Sequence, residues 1–403
     1  MFLPLKTDKI RTIQAGWVVD GRGGAIQKNV RLAIDRDRIE YSHAIEQSDN
    51  GPPDLDLGDC LVMPGLIDCH VHLYMSGTAD AAIREWQLNA PYEHMRRVIE
   101  THLEQHLASG VAAVRDGGDY AAHVLRFKHA NQGDTRCPLT LHAAGRAWRH
   151  HGRYGKLIGR PPRAEQTLVQ AIRMSQEAVD HVKIVNSGLN SLKIFGKETA
   201  PQFPLEELRA AVQAANAQAK RVMVHVNGRE PVQQSIEAGC HSIEHGFFMG
   251  LDNLQRLADS QTFWVPTACT MQGYARHAAP ESLAADVSRR NLDHQLEQMR
   301  RARALGVKVA LGTDAGTIGV HHGKAVRMEM ELLLTAGFTI PEAVQCATWN
   351  GAKVMDLPMA GLITPGARAT LLALPGGLQA FPENLATPVW FMLDGQILFD
   401  RRS

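Results

Sequence analysis

The stretch VMPGLIDCHVHL, residues 62–73, carries two histidines separated by one residue, His70 and His72. Because side chains alternate along a β-strand with a period of two, both imidazoles are predicted to project to the same side. The lead-in at 61–67 is mostly apolar, which is typical of a strand buried on both faces of a parallel sheet. Two imidazoles on one side of a strand can hold a metal ion, although paired histidines also occur on solvated strands.

Further segments with the composition of buried strands follow the histidine strand. They are VAAVRDGG (111–118), LTLHAAG (139–145), HVKIV (181–185), RVMVHV (221–226), SIEHG (242–246), FWVPT (263–267) and VALGTDAG (309–316). Amphipathic helical patterns, such as those at 205–220 and 282–306, separate most of them. Eight strands that alternate with helices over about 290 residues predict an α/β fold, a parallel (β/α)8 TIM barrel.

Both ends of the chain have a different sequence pattern, which is typical of antiparallel strands. Residues 1–62 alternate short apolar runs with turns, and the tail contains ATLLAL followed by PVWFMLDGQILFD. Within the tail, Asp394-Gly395 is a hairpin signal. We therefore expect residues 1–62 and 358–403 to pair into a small β-sandwich domain beside a barrel formed by residues 63–357.

The composition is that of an ordinary globular protein, with 44% hydrophobic and 21% charged residues. Lys plus Arg (43) balance Asp plus Glu (42), so the chain has no overall field that attracts polyanions. We therefore expect a small-molecule substrate, and neither nucleic acid nor a membrane as a partner. A homo-oligomer remains open.

Cysteine usage and the N-terminus predict a cytoplasmic protein. The N-terminal residues lack the pattern of a signal peptide, and no window approaches 18 uninterrupted apolar residues. The cysteines form no CxxC pair, which predicts reduced, mostly buried thiols rather than a disulfide framework. They are Cys60, Cys69, Cys137, Cys240, Cys269 and Cys346. Cys69 stands between the two histidines, points to the opposite face and is predicted to pack.

Side chains that bind divalent ions occur at the carboxyl ends of the predicted strands, where the chemistry of such barrels gathers. They are His70 and His72 on the first strand, Lys183 or Lys193 near the fourth, His225 on the fifth, His245 on the sixth and Asp314 on the eighth. Individually, His225 and His245 could be hydrogen-bonded core histidines, and Asp314 a helix N-cap. Their joint placement at matching strand ends favours a metal site, with zinc preferred over magnesium because the ligands are rich in imidazole.

These motifs, VMPGLIDCHVHL, VHVNG, SIEHG and LGTDAG in this order, resemble the amidohydrolase superfamily over nearly the whole chain. VRDGG, VKIVNSG followed by QFP, and GTDAGTIGVHHGK are similar to its prolidase-like branch, which includes relatives of the Xaa-Pro and Xaa-Arg dipeptidases. The resemblance implies a binuclear metal centre in which a lysine at the end of the fourth strand is carboxylated by carbon dioxide and bridges two ions.

Two lysines compete for that position. Lys183 in VKIVNSG matches the pattern of the branch, whereas Lys193 in SLKIFG follows ten residues later, in the expected loop after the strand. We expect Lys183 to be carboxylated because Val182 and Ile184 imply burial, and desolvation lowers the pKa of an amine as carbamate formation requires. The alternative for either lysine is a surface or snorkelling side chain.

The resemblance also implies how the ligands divide and how they act. One ion would bind His70, His72 and Asp314, the other His225 and His245, and carboxylated Lys183 and a hydroxide would bridge them. The hydroxide would attack an amide carbonyl, with Asp314 as the general base that then delivers the proton to the leaving amine. We expect the substrate to be a dipeptide or a small molecule like an N-acyl amino acid.

Three residues near the rim are predicted to bind this substrate. His322, in GTDAGTIGVHHGK, matches a histidine of the branch. Tyr154 and His151, in the loop after the third strand, occupy the place where the branch carries a Gly-rich turn with a histidine. The additional Arg149 and Arg153 of this loop fit either an anionic substrate group or a solvent-facing loop.

Three other functions compete with amide hydrolysis. A mononuclear deaminase of the same superfamily usually carries Glu three residues after the fifth-strand histidine, but here His225 is followed by Val226, Asn227 and Gly228. A lactone or phosphoester hydrolase would use the same binuclear centre. A barrel without catalytic activity is disfavoured because all six candidate ligand positions carry residues that can bind a metal ion.

Overall fold

The computed structural model describes residues 10–45, 51–133 and 138–402. Its strands are β1 Thr12–Val18, β2 Gln27–Asp35, β3 Arg38–Ala44, β4 Leu55–Pro64, β5 Leu66–Val71, β6 Val111–Asp116, β7 Thr140–Ala143, β8 Ala147–Trp148, β9 Gly159–Arg160, β10 His181–Val185, β11 Arg221–Val226, β12 Ser242–His245, β13 Phe263–Val265, β14 Leu371–Leu374, β15 Trp390–Leu393 and β16 Gln396–Asp400. Cys137, predicted to be a buried thiol, lies outside the described residues, as do residues 1–9 of the N-terminal stretch that lacks the pattern of a signal peptide.

Helices occupy most of the connections from β5 to β14. They are α1 Ala81–Asn89, α2 Tyr92–Ala108, α3 His123–Ala130, α4 Leu168–Arg173, α5 Leu205–Asn216, α6 Arg229–Glu237, α7 Leu251–Ala258, α8 Cys269–His277, α9 Leu283–Leu305, α10 Lys324–Thr335, α11 Ile340–Ala347 and α12 Trp349–Met355, with 3₁₀ turns at Leu378–Ala380 and Glu383–Ala386. The side chain of Ser282 caps the start of α9, and Gly306, in the left-handed conformation, ends it. In the part of the chain with described coordinates, none of the helices combines the length and apolar character needed to cross a bilayer.

The strands of the middle region pair in parallel, in two sheets. One has the order β5-β6-β7 and the other the order β13-β12-β11-β10-β8-β9. All five residues of β10 are buried, as expected for a strand that is covered on both faces. The strands predicted at 181–185 and 221–226 agree with β10 and β11 over their full length, and those at 111–118, 139–145 and 242–246 are shorter than predicted.

The prediction of an eighth regular strand at 309–316 is wrong. This segment makes isolated parallel bridges to β13 and to β5 instead of a continuous ladder. The amide of Leu311 donates to the carbonyl of Cys346 in α11, so it is not available to a neighbouring strand. The carbonyl of Leu311 still accepts from the amide of Cys69 in β5, at 2.9 Å. The segment therefore lies beside the histidine strand although its hydrogen bonding is irregular.

The two chain ends pair into one separate sheet of the order β16-β15-β14-β4-β1-β2-β3. The antiparallel pair β14–β4 joins the tail to the N-terminal strands. Asp394 and Gly395 connect β15 to β16 with φ values of 47° and 78°, the left-handed pair that a two-residue hairpin requires. The pairing forms a single sheet of seven strands within the described residues. The division into a sandwich (1–62 and 358–403) and a barrel (63–357) stays a prediction.

The apolar side chains of the histidine strand, β5, are buried in the protein core. The end sheet has a core of its own that includes Ile13, Leu32 and Trp390, and a larger cluster joins the middle strands to their helices. Burying a side chain of this kind stabilises the fold by about 1.5–3 kcal/mol. Cys69 is fully buried in a third cluster with Ile67, as predicted, and the cysteines described are free and buried.

Candidate metal centre

The predicted ligands meet in one cavity of about 340 Å³. We refer to these six side chains as the cavity cluster: His70, His72, Lys183, His225, His245 and Asp314. The ring centroids of His70 and His245 are 4.9 Å apart, and those of His225 and His245 are 4.6 Å apart. Lys193 is exposed, in the loop between β10 and α5, and does not line this cavity.

Three donors of the cavity cluster lie close enough together to hold one ion. One ligand atom each from His70, His72 and Asp314 lies within 4.8 Å of the other two. Asp314 Oδ1 is 3.6 Å from Nε2 of His70 and 3.3 Å from Nε2 of His72. Two ligands of a tetrahedral zinc ion, each about 2.0–2.1 Å from the metal, are separated by about 3.3 Å. The donor set therefore fits a divalent ion of this size.

Each imidazole of the HxH pair has an oxygen atom of the protein close to its Nδ1. Nδ1 of His72 is 2.9 Å from the carbonyl of Gly118, and Nδ1 of His70 is 2.8 Å from Oε2 of Glu244. The hydrogen bond to the carbonyl of Gly118 puts the proton of His72 on Nδ1 and leaves the lone pair of Nε2 facing Asp314. The contact between His70 and Glu244 is close but lacks hydrogen-bond geometry, and both ring nitrogens of His70 are unpaired among the described residues. Metal-binding histidines are held in the way that His72 is.

Glu244 is a positioning residue that sequence reasoning missed. Its Oε1 accepts from Nη2 of Arg115 at 2.9 Å while Oε2 faces His70, and both charged side chains are fully buried. Arg115 also donates from Nε to the carbonyl of Cys69, inside the histidine strand. Burying an ion pair is costly, so charged residues are unusual within buried strands. The presence of Arg115 in VAAVRDGG and of Glu244 in SIEHG was the sequence signal that could have indicated this pair.

The VRDGG motif supports the histidine strand from the neighbouring strand. The carboxylate of Asp116 accepts from the amides of Leu73 and Gly118, and burial raises its pKa to about 7. A Cβ on Gly117 would lie 2.7 Å from Cε1 of His72, closer than real contacts allow. A side chain at this position would therefore displace the imidazole.

Lys183 is buried in the cavity wall with its amine unpaired. The side chain is 1% exposed, and among the residues with described coordinates Nζ has no hydrogen-bond partner. Burial lowers the pKa of Lys183 to about 8, against the opposing charge of Glu244. A buried amine with a lowered pKa is partly neutral near physiological pH, and the neutral amine is the form that reacts with carbon dioxide.

His225 and His245 complete the cavity cluster as neutral imidazoles. Nε2 of His225 lies 3.2 Å from the carbonyl of Gly188, and Nδ1 of His245 lies 2.7 Å from Oγ1 of Thr267. Burial lowers the pKa of both rings, which leaves them in the form that binds metals. His245 has a φ of 70°, a left-handed conformation that costs a non-glycine residue about 1–3 kcal/mol and that concentrates at functional sites.

Asp314 also adopts the left-handed conformation, with a φ of 56°. The next helix, α10, begins ten residues later, so Asp314 is not an N-cap. Burial raises the pKa of Asp314 to about 7, and the charge of Lys183 opposes this shift. A carboxylate with a pKa near neutrality suits a general base.

The residues predicted to bind substrate are placed differently from one another. Tyr154 lines the cavity, with its ring centroid 5.1 Å from that of His225. His151 is exposed on its loop, and His322 is buried; neither is among the described residues of the cavity wall. The structure therefore brings Tyr154 to the cavity cluster and keeps the two histidines apart from it.

His322 belongs to a second group of buried imidazoles, with His102 and His106 of α2, which we call the helix cluster. The rings of His102 and His322 stack with centroids 4.0 Å apart, and Nε2 of His106 is 3.2 Å from Nδ1 of His322. Nδ1 of His102 donates to the carbonyl of Leu73, and Nε2 of His322 donates to the carbonyl of Met75, each at 2.8 Å.

The remainder of the cavity wall was not predicted, since it comes from loops and helices in the connections after different strands. The apolar members are Met75, Leu88, Leu157, Ile158, Leu189, Leu192, Phe247 and Met271. The polar members beside Tyr154 include Tyr74, Arg84, Asn190, Asn227, Thr270, Tyr274 and Thr317. The cavity therefore combines an ion-binding floor with largely apolar sides and a single arginine among its described lining residues.

A model of the Amidohydrolase family matches residues 61–397. This span is most of the chain and contains every residue of the cavity cluster. The chain belongs to the amidohydrolase family. The predicted superfamily is thereby confirmed.

Relatives within this family extend over nearly the whole protein. Ochratoxinase from Aspergillus niger is 23% identical over 95% of this chain and 85% of its own length. Imidazolonepropionase from Deinococcus deserti is 25% identical over 88% of each protein. A crystal structure of a Xaa-Pro dipeptidase with methionine bound in its active site superposes with a TM-score of 0.80 and 25% identity, over 96% of this chain and 98% of that protein.

These relatives bear out two expectations from the sequence. Relatives of the prolidase-like kind are present, as the narrower motifs indicated. Membership of the family, together with hydrolytic relatives and a three-donor ion site, identifies this protein as a metal-dependent hydrolase that acts on amide bonds.

Proposed function

We propose that this amidohydrolase is a binuclear enzyme that cleaves the amide bond of a dipeptide or of a small molecule like an N-acyl amino acid. The observation that carries the proposal is the position of Lys183. Its buried amine, without a hydrogen-bond partner in the described chain, faces the same cavity as the three-donor group of His70, His72 and Asp314.

The proposal includes the closure of the parallel strands into a (β/α)8 barrel. The segment 309–316 bridges β13 to β5, which supports closure on one side. On the other side, the amide of Asp180, next to β10, donates to the carbonyl of Ala143 at the end of β7, at 3.1 Å. A closed barrel would gather the carboxyl ends of its strands around one cavity, and the placement of the cavity cluster supports this proposal.

In this centre, His70, His72 and Asp314 would hold one divalent ion, His225 and His245 the other, and carboxylated Lys183 would join them. Zinc is the expected metal because imidazoles predominate. When bound, the two ions would supply Lewis acidity and lower the pKa of water in the site. The unpaired Lys183 amine, the unpaired Nε2 of His70 and the Nε2 lone pair of His72 fit this assignment.

The protein's own groups would move the proton and hold the substrate. The pKa of Asp314, raised to about 7 by burial, lets its carboxylate take a proton near neutral pH and return it to the leaving amine. Thr317 donates to Oδ2 of Asp314 at 3.2 Å and so orients this carboxylate. The hydroxyl-bearing ring of Tyr154, beside His225, would contact the substrate, and the apolar wall would exclude bulk water.

Replacing Lys183 and Lys193 by alanine, one at a time, tests this proposal. We expect wild-type protein and the exposed-loop control Lys193→Ala, produced with added zinc and bicarbonate, to hold about two ions per chain and to hydrolyse members of a dipeptide and N-acyl amino acid panel. Lys183→Ala should lose at least one ion and about 10³-fold or more in kcat/KM, because the group that joins the ions is gone. Equal metal content and activity in the two variants would contradict the proposal.

A further inference from the structure

The cavity wall carries a cation for which the described chain supplies no carboxylate. Arg84, the fourth residue of α1, lines the cavity and is half-buried, with Tyr74 and Tyr274 near its charge. Its described hydrogen bonds all go to backbone carbonyls. A cation at the edge of an active-site cavity without a counter-ion is a candidate for binding an anionic part of the substrate.

One edge of the guanidinium group is fixed and another is free. Nη1 donates to the carbonyls of Ser76, Thr78 and Gly316 at 2.9, 3.3 and 3.0 Å. Because Gly316 follows Asp314 by two residues, this anchor ties Arg84 to the loop that carries the general base. Nε and Nη2 make no hydrogen bond to the residues described, and these two N–H groups form the side of the fork that binds a carboxylate in bidentate fashion.

The arginines suggested by the sequence for an anionic group are engaged elsewhere. Arg149 donates to the carbonyls of His150 and Arg153, and Arg153 donates to the carbonyl of Ala200. Neither arginine is among the described residues that line the cavity. Arg84 is therefore the arginine in position to contact a substrate.

We infer that Arg84 is the specificity-determining residue that binds a carboxylate of the substrate, so that the enzyme selects N-acyl amino acids and dipeptides with a free carboxylate over neutral amides. This inference rests on the proposed amide hydrolysis and names its substrate class. Leu88, Leu157, Leu189 and Leu192 in the same wall favour a substrate with an apolar side chain.

A matched pair of substrates tests the inference on the metal-loaded enzyme. N-acetyl-L-leucine and N-acetyl-3-methylbutylamine contain the same amide and side chain, and only the first has a carboxylate. We expect wild-type enzyme to prefer the acid by about 10- to 100-fold in kcat/KM, chiefly through KM. The free energy of a hydrogen bond to a charged group corresponds to a change in affinity of this size. Arg84→Gln should abolish the preference, and Arg153→Gln, the control, should retain it. An unchanged preference in Arg84→Gln overturns the inference.

Calorimetric binding of N-acetyl-L-leucine separates this inference from the proposed function. If the wild-type enzyme hydrolyses both compounds equally, amide hydrolysis stands and the inference is overturned. If it hydrolyses neither compound, amide hydrolysis of this substrate class fails, and binding alone decides on Arg84. Affinity that is about tenfold or more weaker in Arg84→Gln than in the wild-type protein then supports the inference, and equal affinity overturns it.

Discussion

The cavity cluster and the helix cluster are both built from buried imidazoles, but their ring nitrogens have different partners. In the helix cluster, His102 and His322 donate to backbone carbonyls, and His106 contacts His322. In the cavity cluster, Nε2 of His70 and Nε2 of His72 face a carboxylate across a cavity. Buried polar groups are normally paired within the protein. Ring nitrogens that face a cavity therefore indicate a binding site for a ligand that the chain itself does not supply.

The helix cluster has a structural explanation that needs no ligand. His102 and His322 hold the carbonyls of Leu73 and Met75, which flank Tyr74 in the segment after the histidine strand. Because Tyr74 lines the cavity, the helix cluster positions part of the wall from behind. The similarity of His322 to a histidine of the prolidase-like branch is therefore compatible with a positioning function, and direct contact with substrate stays a prediction.

The largest effect is expected at the carboxylate that only the cavity cluster contains. Asp314→Asn should lower kcat/KM by about 10³-fold or more, because the proposed general base and one proposed ion ligand are both lost. His322→Gln, in the helix cluster, should keep the metal content of the wild-type protein. Steady-state kinetics and elemental analysis measure both variants. An Asp314→Asn enzyme with more than a tenth of the wild-type activity would break the distinction between the clusters.

The carboxylate behind the cavity cluster should have the next largest effect. Glu244→Gln removes the negative charge between Arg115 and His70, so we expect metal affinity to fall about 10- to 100-fold. The buried guanidinium of Arg115 would lose its counter-ion, which should lower the free energy of unfolding by about 3–5 kcal/mol. Chelator competition and urea unfolding test the two effects. The control Glu297→Gln loses only surface ion pairs with Arg300 and Arg301, so it should keep the metal affinity and lower the free energy of unfolding much less than Glu244→Gln does. Similar behaviour of both variants would count against a positioning function for Glu244.

The smallest effect is expected in the pH dependence of the helix cluster. Burial lowers the pKa of His102 to about 4 and that of His106 to about 3, below the value of about 6.5 in an unfolded chain. Stability should therefore be fully present above pH 6.5 and be lost as the pH falls, because the unfolded chain binds protons that the folded protein excludes. At pH 5, each of these two histidines should lower the free energy of unfolding by on the order of 2 kcal/mol relative to its value above pH 6.5.

Removing one of these histidines tests that assignment. His106→Gln should lose less stability between pH 7 and pH 5 than the wild-type protein, as measured by urea unfolding of the zinc-loaded enzyme. His94→Gln, an exposed change on the same helix, should follow the wild-type dependence. An unaltered pH dependence in His106→Gln would show that the ring is not held neutral by the helix cluster.

Much of the fold could be predicted because it depends on local pattern. The apolar runs HVKIV and RVMVHV gave the limits of β10 and β11, and the period of two placed His70 and His72 on one side. The hairpin at Asp394-Gly395 followed from the residues that a left-handed turn favours. In each case, the deciding interactions are between residues that are close in the sequence.

The parts that could not be predicted depend on residues far apart in the chain. Arg84 is anchored to the carbonyl of Gly316, and His106 contacts His322, and neither pair leaves a periodic signal. The prediction of the eighth strand was wrong for the same reason, since the amide of Leu311 donates to a carbonyl of the later helix α11. Loops that form the cavity wall are shaped by such tertiary contacts rather than by local propensity.

Anomalous diffraction at the zinc edge, from crystals grown with zinc and bicarbonate, tests the central claim most directly. We predict two peaks within the cavity cluster, one between His70, His72 and Asp314 and one beside His225 and His245, and none within the helix cluster. Density for a carbamate on Lys183 should join the two peaks. A single peak with a free Lys183 amine, or a peak among the imidazoles of the helix cluster, would contradict this account.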